Sequence, residues 1–347
     1  MALGSGSLPA GVAVVRISGH NALFCLEKMC GSLPQRRVLG LRDLRDPVTK
    51  QVLDRGLVVQ FPGPHSFTGE DCAELQLHGS RAVVQAVLKA LIGIEGVRLA
   101  EAGEFTRRAF ENGRLDLVEV DALGDLIAAD TESQRTQAMA RLAGGVSARI
   151  EQWRVEIIRL MAEVEAQLDF SDEGDVGELE AERLEADLRE LIGSLEAGLS
   201  SYHRGRIVRD GFRVGIGGLP NAGKSSLLNM LAQSDIAIVT DEPGTTRDLR
   251  EVAIDLDGQL VVLVDSAGIR ATDSKAEAEG VRRAMAMLED ADLVLWLQAP
   301  DVVGDQRCPI ASDRVVVVAS KADLGTSDAS VAISTREMRG VTALIAL

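Results

Sequence analysis

A glycine-rich segment beginning at Gly218 carries the clearest chemistry in this sequence. It reads GLPNAGKS and fits G-x-x-x-x-G-K-[ST], with the strand-like run Arg213–Gly217 before it and the helical run Leu227–Leu231 after it. In that context backbone N–H groups at the start of a helix surround phosphate groups, the lysine reaches the β- and γ-phosphates, and the next hydroxyl ligates Mg²⁺. The segment therefore predicts a nucleoside triphosphate site in which Lys224 and Ser225 have these two roles.

Three later segments add to this site, because each follows a strand-like run. The first begins at Asp265, whose carboxylate can hold Mg²⁺ through water, and includes Gly268, whose N–H can meet the γ-phosphate. The second contains Asp323, which can accept hydrogen bonds from the N1 and N2 edge of guanine, a pair of donors that adenine lacks. The third begins at Ser334, where a backbone N–H can meet guanine O6. Together they predict GTP over ATP, and their order resembles that of the TRAFAC class of GTPases.

Two residues depart from the patterns common in that class. Ser320 replaces the asparagine that usually opens Asn-Lys-x-Asp, and because serine is shorter we expect weaker affinity for guanine nucleotides with unchanged base specificity. Ile269 stands where small GTPases of the Ras kind have a water-orienting glutamine, and an isoleucine cannot orient water. Hydrolysis then needs another group. The sequence offers two: Asn221 together with the segment 240–248, or Glu277.

The periodicity of apolar residues predicts an α/β multidomain chain. Strand-like and helical runs mix in residues 1–112, helical spacing without proline dominates 113–209, and strands alternate with helices in 210–347. The last pattern predicts a doubly wound parallel sheet, and the middle one predicts long helices with an antiparallel hairpin in its second half. The predicted strands are Val12–Ile17, Leu57–Phe61, Glu74–Leu77, Arg213–Gly217, Val252–Leu256, Leu260–Val264, Leu293–Leu297 and Val315–Ala319, and Ala82–Leu91 is a predicted helix.

Composition excludes several classes of protein. The chain has 347 residues, and an apolar fraction of 46% argues against disorder. Its net charge of −16 argues against a generally basic surface for binding nucleic acid. The four cysteines contain no C-x-x-C pair, so we expect reduced thiols in a cytoplasmic protein. We expect no membrane partner, because no apolar stretch approaches the ~18 residues that span a bilayer.

The chain is similar, in seven stretches, to the MnmE (TrmE) family of tRNA modification GTPases, within the TrmE-Era-EngA-EngB-Septin-like superfamily. The stretches are GVAVVRISG, FPGPHSFTGEDCAELQLHG, GEFTRRAFENGRLDLVEVDALGDLI, LDFSDE, GLPNAGKSSLLNML, IVTDEPGTTRD and DSAGIR. The first three separate this family from ribosome-assembly GTPases that share only the nucleotide domain. The resemblance implies a hydrolase acting on acid anhydrides. It also implies an N-terminal folate-binding-like domain, a helical domain and a Ras-like P-loop GTPase domain.

The resemblance further implies Mg²⁺, a K⁺ ion in the place of an arginine finger, and Glu277 as a catalytic residue that acts on the attacking water through a second water. The positions matching the family's K⁺ ligands are Asn221, Thr240, Glu242 and Thr245, and those matching its Mg²⁺ ligands are Ser225 and Thr246. The positions expected to bind GTP are Asn221, Ala222, Gly223, Lys224, Ser225, Ser226, Thr240, Asp241, Glu242, Pro243, Gly244, Thr245, Thr246, Asp265, Ser266, Ala267, Gly268, Lys321, Asp323 and Ser334.

For the N-terminal domain, the resemblance implies homodimer formation and a site for 5-formyl- or 5,10-methylene-tetrahydrofolate at Arg16, Glu74 and Arg114. A salt bridge between neighbouring strands is the alternative reading of Arg16 and Glu74. The family acts with the FAD-containing protein MnmG in a heterotetramer. Together they add an aminomethyl or carboxymethylaminomethyl group at C5 of the wobble uridine, position 34, of certain tRNAs.

One departure from the family concerns the end of the chain. Family members continue with helices that complete the helical domain and end in Cys-x-Gly-Lys, whereas this sequence stops in a helical run of the GTPase domain. We therefore expect a C-terminally incomplete chain. The alternative hypothesis is a truncated folate- and GTP-binding scaffold with impaired modification activity, its GTPase weakened by Ser320.

Overall fold

The computed structural model describes residues 1–169, 181–238, 251–266, 274–325, 329 and 331–346. The chain forms two compact units, Met1–Asp121 and Ala122–Leu347. Within the described ranges, no helix has both the length and the apolar character needed to cross a membrane.

The first unit is built on a five-stranded antiparallel sheet with strand order β1-β2-β5-β4-β3. Its strands are β1 (Ala2–Leu3), β2 (Ala10–Ser18), β3 (Gly40–Arg45), β4 (Val52–Phe61) and β5 (Cys72–Gly79). The helices of this part of the chain are α1 (Ala22–Cys30), α2 (Arg81–Ile92), α3 (Glu104–Glu111) and α4 (Leu117–Ile127).

Helices α1 and α2 pack on one face of this sheet. Successive side chains of a strand point to opposite faces, so Val15 and Ile17 of β2 are buried against Leu26 of α1 and Leu91 of α2, whereas Val12 is 56% exposed on the other face. The three predicted strands and the predicted helix of this unit are confirmed as parts of β2, β4, β5 and α2. The sequence analysis did not predict β1, β3 or α1.

Three helices follow: α5 (Glu132–Leu142), α6 (Gly145–Asp169) and α7 (Ala181–Asp210). Helices α6 and α7 run antiparallel, because Trp153 Nε1 donates to Ser194 Oγ at 2.9 Å while Arg159, further along α6, pairs with Asp187, earlier in α7, at 2.6 Å. The predicted helical hairpin is therefore confirmed.

The second sheet has six strands in the order β11-β10-β9-β6-β8-β7. They are β6 (Phe212–Gly218), β7 (Glu251–Leu256), β8 (Gln259–Asp265), β9 (Leu293–Gln298), β10 (Val315–Ala319) and β11 (Val331–Ala332). The helices are α8 (Lys224–Ala232), α9 (Ser274–Asp290) and α10 (Val341–Ile345). The core contains the fully buried side chains of Ile216, Leu227, Leu297 and Ile333.

The prediction of an entirely parallel sheet is wrong at one edge, where β7 pairs with β8 antiparallel. The two strands are joined at Asp257 and Gly258, whose φ angles of 50° and 83° are those of a tight hairpin turn with two left-handed residues. The other pairs, β6 with β8 and β9, and β10 with β9 and β11, are parallel as predicted.

The tip of this hairpin contacts the first turn of α5. The Ser133 N–H donates to the Gly258 carbonyl at 3.1 Å, and Gln259 Nε2 donates to Ser133 Oγ at 2.5 Å. From the same turn of α5, Gln134 Nε2 donates to the carbonyl of Arg209 at the end of α7, at 2.9 Å. Helix α5 therefore joins the helical hairpin to the strand that ends in Asp265.

Candidate functional site

The glycine-rich loop, residues 219–223, connects the carboxyl end of β6 to the start of α8. Gly218 has a φ of 139°, and a Cβ there would lie 2.6 Å from the Leu297 carbonyl oxygen, so only glycine fits this position. Asn221 has a φ of 64°, and its side chain is exposed. This turn starts α8 at Lys224, with its first backbone N–H groups available for anions.

Lys224 is 7% exposed, and its ammonium group donates to the carbonyls of Gly218 and Leu219 at 2.8 and 2.9 Å. Burial lowers the pKa of Lys224, and the negative charge of Asp265 opposes that effect. The loop therefore folds around a buried cation, the group that the motif requires for binding phosphates.

Ser225 and Asp265 come together as the sequence predicts. Ser225 Oγ donates to Asp265 Oδ2 at 3.0 Å, although the two residues lie on different elements, the start of α8 and the end of β8. Asp265 is 4% exposed and pairs in register with Ile216 of β6. A hydroxyl and a carboxylate are hard oxygen ligands, so this pair fits Mg²⁺ carried by a nucleotide.

The third predicted segment lies beside the same loop, after β10. The buried hydroxyl of Ser320 donates to the Ala222 carbonyl at 2.6 Å and to the Gln298 carbonyl at 3.1 Å. Despite being shorter than asparagine, Ser320 reaches the glycine-rich loop and ties it to the ends of β9 and β10. The base-recognition segment is therefore hydrogen-bonded to the glycine-rich loop.

Asp323 and Ser334 form a pair at the edge of this segment. Ser334 Oγ donates to Asp323 Oδ1 at 2.7 Å, and this hydrogen bond lowers the pKa of the exposed Asp323 carboxyl. Ser334 is fully buried, and its N–H donates to the Arg339 carbonyl at 2.9 Å. The hydrogen bond from Ser334 therefore favours the ionised form of Asp323 and fixes the orientation of its carboxylate.

Lys321 has a partner that the sequence analysis missed. Its Nζ pairs with Asp301 Oδ2 at 2.6 Å, and its backbone is left-handed, with a φ of 54°. Asp301 follows the end of β9. The position of Asp301 after a predicted strand could have identified it as a site residue, because parallel strands bring the residues at their carboxyl ends to one edge of a sheet.

Several predicted residues lie outside the described part of the chain. They are Thr240, Asp241, Glu242, Pro243, Gly244, Thr245, Thr246, Ala267, Gly268 and Ile269. Glu277 lies on α9, but its side chain is also outside the described residues. Of the remaining positions, Ala222 is buried, Ser226 is exposed at the start of α8, and Ser266 directly follows β8.

A second group of predicted residues lies in the first unit. Arg16 and Glu74 are directly opposed on β2 and β5, and Arg16 Nε donates to Glu74 Oε1 at 2.8 Å. The guanidinium of Arg16 also lies over the ring of Phe67, 5.8 Å from its centroid. Arg114 is exposed, and its aliphatic stem packs close to Gly69: a side-chain Cβ at position 69 would lie only 3.3 Å from Arg114 Cγ. The loop 62–71 therefore contacts both arginines.

Comparisons with known proteins give two family matches along the chain. The family described as GTP-binding protein TrmE N-terminus matches residues 1–114, and the MnmE helical domain matches residues 117–346. A "tRNA modification GTPase MnmE" from Sinorhizobium medicae (strain WSM419) is 48% identical over 353 residues, covering 100% of this chain and 80% of the relative. Another, from Chelativorans sp. (strain BNC1), is 49% identical and covers 94% of this chain and 73% of the relative.

Solved structures match more distantly. The G domain of the T. maritima FeoB iron transporter covers 38% of this chain and 92% of its own, at 21% identity and a TM-score of 0.25. A GTP-binding protein from Sulfolobus solfataricus in complex with GDP covers 72% of this chain and 76% of its own, at 13% identity and a TM-score of 0.28.

Proposed function

The chain belongs to the MnmE family of tRNA modification GTPases, and from that membership we propose that it hydrolyses GTP in the service of tRNA modification. The observation that carries this proposal is the meeting of Lys224, Ser225 and Asp265 at one edge of the second sheet. The bridge from Ser320 holds the base-reading segment against the same loop. Phosphate, metal and base recognition therefore converge on one site.

Guanine recognition is assigned to Asp323, whose ionised carboxylate accepts from the N1 and N2 donors of the base. Ser334 orients that carboxylate through its hydroxyl. Because the Ser334 N–H is already bonded to Arg339, guanine O6 is assigned to a later N–H of the same loop. Lys321, held by Asp301, supplies its aliphatic stem beside the base.

Hydrolysis is assigned to residues other than a glutamine, because position 269 is an isoleucine. A bound K⁺ ion would supply the positive charge that an arginine finger supplies elsewhere. Asn221 supports this assignment, since its exposed side chain sits on a left-handed turn of the glycine-rich loop. The coordination shell of the K⁺ ion would be completed by Thr240, Glu242 and Thr245. Thr246 would be a second ligand of Mg²⁺ beside Ser225. Glu277 would orient the attacking water.

The test is GTP turnover in K⁺ against Na⁺ at matched ionic strength. We expect faster turnover in K⁺, because Na⁺ is smaller and fits the same oxygen ligands poorly. Glu277→Ala should lower turnover and leave GTP affinity nearly unchanged, as expected for a contact made in the transition state. Glu289→Ala, an exposed glutamate on the same helix, is the matched control. Equal rates in both salts would contradict the K⁺ assignment, and unchanged turnover in Glu277→Ala would contradict that of the glutamate.

In residues 1–112 we place a tetrahydrofolate site at Arg16 and Glu74, together with Arg114 just beyond. The residues suit such a ligand. Arg16 uses Nε for Glu74 Oε1, which leaves Oε2 of the carboxylate for the donors of a pterin ring. The exposed Arg114 guanidinium suits the carboxylates of the glutamate tail. The bound folate derivative supplies the one-carbon unit.

The remaining parts of the proposal follow from the family. Residues 113–209 are assigned to the helical domain and 210–347 to the GTPase domain. The substrate is the wobble uridine of certain tRNAs, and the partner is the FAD-containing MnmG. A homodimer through the first unit is supported by the sheet face opposite α1 and α2, where Val12, Leu41 and Leu57 are exposed.

A further inference from the structure

We propose that Phe67 is the aromatic wall of the tetrahydrofolate site, an inference that rests on the folate binding proposed above. Phe67 is 39% exposed, so part of its ring is open to a ligand. It lies in the loop 62–71, between β4 and β5. The loop holds this ring outside the core by contacts on both sides of it.

The two neighbours of Phe67 in sequence are anchored. Ser66 is 7% exposed, and its hydroxyl donates to the Glu70 carbonyl. Thr68 is fully buried, and its Oγ1 lies 2.7 Å from Ser18 Oγ at the end of β2. With residues 66 and 68 turned inwards, the side chain between them points outwards.

The loop is also tied to α3 and the turn after it. Asn112 Nδ2 donates to the Thr68 carbonyl at 2.7 Å, and Arg108 Nη1 donates to Glu70 Oε2 at 2.8 Å. Glu70 in turn accepts from Ser18 Oγ at 2.9 Å. Because the loop is fixed at both of its ends and at its middle, the position of Phe67 is set before any ligand binds.

Phe67 lies next to the residues already assigned to the folate. The Arg16 guanidinium is 5.8 Å from the ring centroid, within the range of a cation–π contact, and Arg16 is bonded to Glu74. Two residues after Phe67, Gly69 has a φ of 82° and packs against the stem of Arg114. Phe67 is therefore the apolar aromatic side chain of a loop that contacts both arginines.

A pterin ring is flat and aromatic, and its edge carries hydrogen-bond donors. Such a ring needs a carboxylate at the edge and an apolar surface for its face, and stacking on an aromatic side chain supplies the second. Glu74 offers the first and Phe67 the second, with Arg16 between them. Phe67 thereby selects for the pterin end of the ligand, whereas the charged tail is left to Arg114.

The experiment is calorimetric titration of the full chain with 5-formyltetrahydrofolate. Phe67→Ala should raise the Kd about 5- to 100-fold, as the loss of one stacking partner does for nucleobases. Phe67→Leu, which keeps apolar bulk, should raise it less, and Phe67→Tyr should stay within about twofold of the wild type. Phe24→Ala is the matched control, because Phe24 is 48% exposed and has its own cation–π contact with Lys28 at 5.1 Å.

The outcomes separate this inference from the folate site itself. If Glu74→Gln abolishes binding while Phe67→Ala and Phe67→Leu bind like the wild type, the aromatic wall is refuted and the folate site stands. If Phe67→Ala changes only self-association in sedimentation velocity, the ring is a subunit contact and the inference is overturned. Absence of binding by the wild type overturns the folate proposal and the inference with it. GDP affinity should be unchanged in every variant.

Discussion

Replacing Ser320 by alanine removes the hydroxyl that joins the glycine-rich loop to the ends of β9 and β10. The Ala222 carbonyl, 2.6 Å away, loses this donor, whereas the Gln298 carbonyl keeps the Ser320 N–H at 2.8 Å. The substitution therefore deletes one strong hydrogen bond and leaves one acceptor unpaired at a site that is 3% exposed. Such a change costs about 1–3 kcal/mol.

Part of this cost should be visible in nucleotide affinity, because the bridge holds the loop in the form that receives phosphates. A loss of about 1 kcal/mol corresponds to about a fivefold rise in Kd, and we expect at least that for GDP. The assay is fluorescence titration with a labelled GDP at fixed Mg²⁺, with thermal unfolding measured in parallel. Ser320→Thr keeps the hydroxyl and should bind nearly as the wild type does.

The matched control is Ser234→Ala. Ser234 lies just after the end of α8, and its hydroxyl donates at 2.5 Å to the Leu231 carbonyl in the last turn of that helix, so the substitution removes a local contact and no link between distant elements. Equal Kd values and equal unfolding midpoints for Ser320→Ala and the wild type would refute the bridge. A drop in thermal stability with unchanged Kd would refute its role in preparing the loop for phosphate.

Two further predictions concern charged groups. Asp323→Asn should shift preference from GTP toward XTP by about tenfold or more, because an amide offers a donor where guanine requires an acceptor. Competition binding checks this, with the exposed Asp313→Asn as the control, and tight GTP binding with no gain for XTP would contradict it. Hydrogen bonds from Arg98, the Glu101 N–H and Arg108 hold the pKa of the buried Glu104 carboxyl far below its usual range. The ionised carboxylate therefore stabilises the fold at every pH above the unfolded-state pKa of this group. That stabilisation is lost only as pH falls through the lowered pKa of the folded state. Glu104→Gln should therefore speed amide exchange in α3 by about tenfold or more at pH 7, with a smaller difference in strong acid, and identical exchange at pH 7 would refute this.

The nucleotide site could be predicted closely from the sequence because its parts are local. A strand, a glycine-rich turn and a helix start fix the positions of Lys224 and Ser225 within a few residues of one another. The meeting of Ser225 with Asp265 also followed, since parallel strands bring their carboxyl ends to one edge. The bridge from Ser320 to Ala222 could not be predicted, because it depends on the close approach of two backbones that lie 98 residues apart.

The direction of β7 relative to β8 was predicted wrongly from the periodicity of apolar residues. Alternation of apolar residues is the same in parallel and antiparallel strands, so the runs ending at Leu256 and beginning at Leu260 were placed correctly but given the wrong direction. The dipeptide Asp257-Gly258 between them is a strong hairpin signal and would have corrected it. In the first unit, β3 was missed because its residues, GLRDLR, are half charged and only Leu44 is buried.

The hairpin of β7 and β8 also sets an order for folding. Its two strands are joined by two residues, whereas the parallel pairings described in the second sheet join strands separated by longer stretches of chain. Hairpins of this kind close in about 1–10 μs, and pairings between distant segments are slower because they must first close long loops. We therefore expect β8 to be in place before β6 docks beside it and Ser225 reaches Asp265. A side chain at Gly258, whose φ is 83°, would then slow the folding of the sheet more than it would weaken the nucleotide affinity of the folded protein.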